Sequence, residues 1–172
     1  ENKKLGQNNS EIVTASKTLE TENKQPEPLQ TIEKLVDAAQ TGDTDAVFNL
    51  GLAYYQGYGV EKDYKKALEL FIKAAEGGKA TAMYNAGMMF QQGTGTDPNE
   101  TEAVNWYIKA SNRGLPKAMN QLGQMFYFGQ AVEENHEIAA KYYEQSALAG
   151  NTKAMYNIAC LYQTGDGVEK EI

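Results

Sequence analysis

NLGLAYYQGYGV at residues 49–60 returns as NAGMMFQQGTGT at 85–96, as QLGQMFYFGQAV at 121–132 and as NIACLYQTGDGV at 157–168, so the chain matches itself every 36 residues without a gap. A period of this size marks a unit that stacks on copies of itself, because one such unit cannot bury its own apolar face. The surrounding sequence keeps the register. Alanine recurs at Ala46, Ala82, Ala118 and Ala154, glycine at Gly51, Gly87 and Gly123, and a second glycine at Gly57, Gly93, Gly129 and Gly165. A further block carries Ala67, Ala103 and Ala139, then Ala74, Ala110 and Ser146, and each unit is closed by Gly42, Gly78, Gly114 or Gly150.

Each unit reads as two helices. The first, helix A, carries Ala46, Leu50 and Tyr54 at i, i+4, i+8, and the second, helix B, carries Ala67, Leu70, Phe71 and Ala74 at i, i+3, i+4, i+7. Trp106, in the column of Leu70 and Tyr142, extends the same stripe and belongs to the core. Asp63, Asn99 and Asn135 share one column just before helix B, where a side-chain oxygen can accept from a free helix-start amide. Asn99 with Glu102 has the spacing of a capping box. Pro116 suits the first turn of the third helix A, and Gly78, Gly114 and Gly150 suit helix B ends. A glycine inside a helix costs about 1 kcal/mol relative to alanine, so Gly51, Gly87 and Gly123 predict a close approach of helix B to helix A. Ala159 takes that position in the fourth unit, where a slightly wider contact is expected.

Leu50, Gly51 and Tyr54, the G-x-G-V loops at Gly57, Gly59 and Val60 and again at Gly165, Gly167 and Val168, and the K-A-A-x-x-G end at Lys73, Ala74, Ala75 and Gly78 resemble the signature of the Sel-one-like repeat (SLR) family, relatives of the tetratricopeptide repeat. The resemblance covers about residues 29–172 and implies an all-α, right-handed α/α superhelical solenoid of about three and a half helix-pair repeats. In that family such arrays act as adaptors or scaffolds, often in bacterial envelope and signalling complexes. Two loops depart from the pattern: Ala131 replaces the second glycine of the third loop and Thr96 the valine of the second, so both are expected to be looser. Some exported members are braced by disulfides, and Cys160 is the only cysteine here.

The organisation that follows is a polar tail or linker at 1–28, a lone capping helix at 29–42, full repeats at 43–78, 79–114 and 115–150, and an open half repeat at 151–172. Leu35, Ala38 and Ala39 put the capping helix in helix-B register. At the other end no fourth helix B is present to cover the last helix A, so the side with Ile158, Leu161 and Tyr162 is expected to be partly uncovered and open to self-association. The first residue is Glu1 and not methionine, which together with the polar leader favours an exported or periplasmic bacterial protein, with a cytoplasmic one as the alternative.

Function classes are then narrowed. No apolar run approaches the roughly 20 residues needed to span a bilayer, which argues against membrane insertion. Sixteen basic and twenty-three acidic residues, scattered singly for a net charge of −7, give no concentrated basic face for nucleic acid. One cysteine excludes an intramolecular disulfide and multi-cysteine metal sites. The only histidine, His136, sits among Glu133, Glu134 and Glu137 and reads as a solvated surface residue, as do those carboxylates. Cys160 lies in the helix-A column of Leu52, Met88 and Gln124 and reads as a small packer. The G-x-G loops lack a preceding strand and are turns, not phosphate loops. No metal, cofactor or catalytic constellation is expected, and the chain is read as not an enzyme.

What remains is surface. In the related tetratricopeptide fold the outer positions of helix A line a concave groove. Carried over, they are Asp45, Phe48, Leu52, Tyr55 and Gln56, then Thr81, Tyr84, Met88, Gln91 and Gln92, then Lys117, Asn120, Gln124, Tyr127 and Phe128. Phe48, Tyr84 and Tyr156 share a column that could equally serve packing between repeats. Exposed aromatic and methionine side chains are the usual anchors for a protein segment, so the expected partner is another protein or peptide. A self-assembling structural subunit, or a hydrolase or transferase hidden in the repeats, are the alternatives.

Overall fold

The computed structural model describes residues 28–168, so the expected tail up to residue 27 and the final residues 169–172 lie outside the described residues. Eight helices and no strand are present among the described residues: α1 (Pro28–Gln40), α2 (Thr44–Gln56), α3 (Tyr64–Glu76), α4 (Ala80–Gln92), α5 (Glu100–Asn112), α6 (Pro116–Phe128), α7 (His136–Leu148) and α8 (Thr152–Thr164). Each helix packs on the next in chain order. Helices α2, α4, α6 and α8 are the A helices, α3, α5 and α7 the B helices, and α1 is the lone helix in B register that covers α2. No helix among the described residues is long and apolar enough to cross a membrane.

The helix boundaries follow from the punctuation in the sequence. Asp63, Asn99 and Asn135 accept the backbone N–H of Lys66, Glu102 and Ile138 at 2.9, 3.0 and 2.9 Å, which satisfies one free amide at each helix-B start. The capping box expected at Asn99 and Glu102 forms only this half: the Asn99 amide is already given to the Phe90 carbonyl at 2.8 Å, tying the loop back onto α4. The helix-A ends turn through Gly57, Gly93, Gly129 and Gly165.

Packing between A and B depends on the mid-helix glycines. A Cβ built on Gly51 would stand 2.9 Å from the Phe71 ring, on Gly87 2.8 Å from Tyr107, and on Gly123 2.6 Å from Tyr143. Phe71, Tyr107 and Tyr143 are all buried. Burying such a ring contributes about 1.5–3 kcal/mol, more than the propensity cost of the glycine under it. The wider contact expected at Ala159 would be made to a helix B that does not follow α8 among the described residues, and Ala159 meets solvent.

The uncovered side of α8 also differs from the one expected. Ile158 and Leu161 are buried, packed with Ala139, Ala140 and Tyr143 of α7, and Tyr162 is half-buried. They face the preceding helix B, which is present. The exposed residues are Met155 at 45% and Tyr156 at 71%. Tyr156 shares the column of Phe48, whose ring lies against Phe71 of its own helix B, so the open face is the one a helix of the same unit would cover.

The loops are equally regular. A Cβ on Gly95 would meet the Tyr64 backbone, and one on Gly167 the His136 backbone, so each of these loops rests on the first turn of the preceding helix B. The third loop was expected to be looser, yet it keeps the same turn, with Ala131 held at φ 56°. A left-handed alanine costs about 1 kcal/mol.

Two outcomes follow. Gly123→Ala gains about 1 kcal/mol of helix propensity but overpacks the Tyr143 ring at a typical cost of about 1–3 kcal/mol, so its thermal midpoint should fall; Ala159→Gly, with no ring above it, should lose only about 1 kcal/mol. A midpoint for Gly123→Ala at or above wild type would mean the ring can slide away and the seat is dispensable. Ala131→Gly should raise stability by about 0.5–1 kcal/mol in urea melts by releasing the strained φ, and a loss would show that the Ala131 methyl packs usefully.

Candidate functional site

The A helices present one face on which neighbouring repeats stand side by side. A depression of about 920 Å³ opens there, lined by Phe48 of α2, by Thr81, Tyr84, Asn85 and Met88 of α4, by Pro116, Lys117, Asn120, Gln121 and Gln124 of α6, by Leu115, and by Ala149 to Lys153 at the start of α8. Its floor follows from one substitution within a column. Phe48 and Tyr84 lay their rings against Phe71 and Tyr107 at 5.6 and 5.5 Å between centroids. The next residue in that column is Asn120, too small to fill the same volume. Asn120 is only 6% exposed, and its Oδ1 accepts from the Asn157 amide at 3.1 Å, so it shapes the floor and joins α6 to α8.

Of the positions expected to line a partner-binding groove, Phe48, Thr81, Tyr84, Met88, Lys117, Asn120 and Gln124 border this depression, and Asp45, Leu52, Tyr55, Gln56, Gln91, Gln92, Tyr127 and Phe128 lie outside it. Asp45 is paired with Lys79 at 2.5 Å. Leu52 is half-buried against the core of the first repeats. Tyr55 stands edge-on to Tyr64 at 5.3 Å, and Gln91 accepts from the buried Tyr107 hydroxyl at 2.8 Å. Burial pushes the Tyr107 phenol well above its ordinary range, so it stays a neutral donor. Gln56 and Gln92 are exposed at helix ends. Phe128 is 61% exposed, edge-on to Tyr127. Asn85, Gln121 and the 149–153 turn were not foreseen. The amide column Asn49, Asn85, Gln121, Asn157 was the available signal, since a polar residue recurring once per unit inside a helix asks for a reason.

Charge is uneven along the face. The column Asp45, Thr81, Lys117, Lys153 runs from acidic to basic, and the two lysines line the depression while no Asp or Glu does. Among the described residues no group of three or more His, Cys, Asp or Glu is placed to hold a metal ion.

The Sel1 repeat profile matches residues 44–79, 80–115, 116–151 and 152–172. The chain belongs to the Sel1 repeat family. Sel1 repeats typically mediate protein–protein interaction and are in general scaffolds without catalysis. No curated protein matches the sequence. Among solved structures, the chain is similar to c5321, a protective antigen of uropathogenic Escherichia coli with an SLR fold, at 31% identity and TM-score 0.80 over 83% of this chain and 30% of that one. It is similar to a Sel1 repeat protein from Oxalobacter formigenes at 30% identity and TM-score 0.78, over 92% of this chain and 64% of that one. The cysteine-rich protein B of Helicobacter pylori shares the fold at 21% identity and TM-score 0.60, over 73% of this chain and 96% of that one. The chain therefore spans less than two thirds of the length of the first two of these relatives.

Within the Sel1 repeats, His136 is not the solvated residue expected of it. It opens α7, stacks on Tyr127 at 4.5 Å, and sets Nδ1 2.5 Å from Asp166 Oδ1 and Nε2 3.1 Å from Glu134 Oε1. Tyr127 donates to the other Asp166 oxygen at 3.2 Å. Asp166 lies in the fourth loop, so the group fastens that loop to the third repeat. The hydrogen bond to Asp166, then its charge and that of Glu134, raise the His136 pKa above its ordinary value against a desolvation effect that lowers it. A raised folded-state pKa means that the charged imidazole stabilises the fold fully below about pH 6.5, the unfolded value, and that this contribution fades as pH rises through the folded value. The thermal midpoint of wild type relative to His136→Gln should therefore shrink as pH is taken from below 6.5 to above the folded value read from an imidazole proton titration. An unshifted titration with parallel pH profiles for the two proteins would remove the pair from the joint.

Proposed function

We propose that this chain is a non-catalytic adaptor that holds a segment of another protein in the depression along its A helices, within a bacterial envelope or signalling complex. The supporting observation is the depression itself: a preformed recess of about 920 Å³ whose wall combines Phe48, Tyr84 and Met88 with amide side chains. Aromatic groups supply apolar anchoring with little rotamer entropy to lose, the flexible methionine adapts to the shape of what it meets, and amides fix the main chain of an extended segment. The rigid frame beneath keeps the recess open without a partner, which lowers the ordering cost of binding. Sel1 repeats typically mediate protein–protein interaction, and the relatives named above are bacterial.

The reading is tested by filling the recess. Gln124→Trp with Met88→Ala should leave the melting profile close to wild type, because both side chains are half-exposed, yet should cut recovery of captured partners from the native organism at least about tenfold, the loss expected when a buried anchor is removed. Lys141→Trp on the helix-B face is the control. Equal recovery from the filled recess and the control would rule out this face as the binding site.

A further inference from the structure

We propose that the depression selects an acidic segment, one carrying Asp or Glu side chains beside an apolar anchor, and that Lys117 and Lys153 read its charge. This rests on the binding role proposed above and names the chemistry of the partner. The chain as a whole is acidic, at −7, so a random stretch of its surface favours basic partners. The recess inverts that balance. Lys117 and Lys153 line it, both exposed and neither in an ion pair among the described residues, and no carboxylate faces them from its wall. The acid that stands in the same column, Asp45, lies outside the recess and is neutralised by Lys79.

The arrangement also has a direction. Aromatic and methionine groups stand in the first two repeats and the lysines in the third and fourth, so an incoming segment sets its apolar anchor near Tyr84 and Met88 and its carboxylates over Lys117 and Lys153. The first turns of α6 and α8 border the same end, and helix starts carry partial positive charge that adds to the lysines. Such unpaired charges steer encounter and discriminate between partners more than they add affinity, which suits a module that must reject the basic segments its acidic surface attracts.

A library of random twelve-residue peptides displayed on phage, selected on the full chain, tests this without knowing the partner. Enriched peptides should carry Asp or Glu next to an aromatic or aliphatic residue. By fluorescence polarisation their affinity should fall about tenfold or more for Lys117→Glu with Lys153→Glu and weaken with added salt, while Lys117→Arg with Lys153→Arg should retain it. Enriched peptides that are neutral or basic, or that bind the charge-reversed chain as well as wild type but lose binding in Gln124→Trp with Met88→Ala, would overturn the charge assignment and leave the recess as a binding site. No enrichment, or peptides indifferent to both pairs of substitutions, would overturn the assignment and the proposed function together.

Discussion

The stack is held by an aromatic ring seated on a bare backbone. Phe71 on Gly51, Tyr107 on Gly87 and Tyr143 on Gly123 are one contact made three times, and each fixes how closely a B helix lies on its A helix. Because the distance is set by a buried ring lying against bare backbone, the three units that have both helices repeat the same contact. The outer columns of the A helices then fall into line across units. The recess takes its shape where one residue on that line, Asn120, is shorter than the Phe48 and Tyr84 that precede it.

The fold was therefore legible in sequence for a physical reason. A ring can take this seat only where glycine recurs opposite it, and a repeat can stack only if the seat returns at a fixed interval, so the 36-residue register encodes the architecture directly. Helix starts at Asp63, Asn99 and Asn135 and the Pro116 turn were equally readable, since a cap depends on neighbours within one turn. What misled was the last helix. Ile158 and Leu161 look uncovered when α8 is considered alone, but they face α7, while Met155, Tyr156 and Ala159 are exposed where no helix stands among the described residues.

The site was less legible because it depends on departures from the period. A groove inferred from equivalent positions includes Tyr55, Gln91 and Tyr127, yet those lie towards the ends of A helices, where helix B or the next loop takes them up: Tyr64 for Tyr55, Tyr107 for Gln91, His136 and Asp166 for Tyr127. The residues that make the recess distinctive are those that break their columns. Asn120 follows Phe48 and Tyr84, Gln124 follows Leu52 and Met88, and Lys117 and Lys153 follow Asp45 and Thr81. Periodicity carries the frame, and each break in it marks a place where neighbouring repeats present different chemistry.

The joints between repeats show the same division. The loops at Gly95 and Gly167 rest on the preceding helix B in the same way, yet the side chains around them change from Tyr55 and Tyr64 at the first joint to Tyr127, His136 and Asp166 at the third. Two tyrosines meeting edge to face at 5.3 Å gain from dispersion and burial, which are indifferent to pH. The third joint exchanges that for a histidine between two carboxylates, an interaction whose strength depends on proton activity near neutrality. In a nearest-neighbour array a weakened interface is not averaged over the whole molecule but falls on the units that share it. Among the described helices α8 packs on α7 and is tied to α6 by the Asn120–Asn157 bond, and the loop that follows it is fastened at this joint. The Asn151 to Lys153 turn that begins α8 also forms one wall of the recess, and the Asn120–Asn157 bond ties the recess floor to the same helix. The joint at His136, through the loop that follows α8, and the floor of the recess, through Asn157, thus both bear on the same last helix.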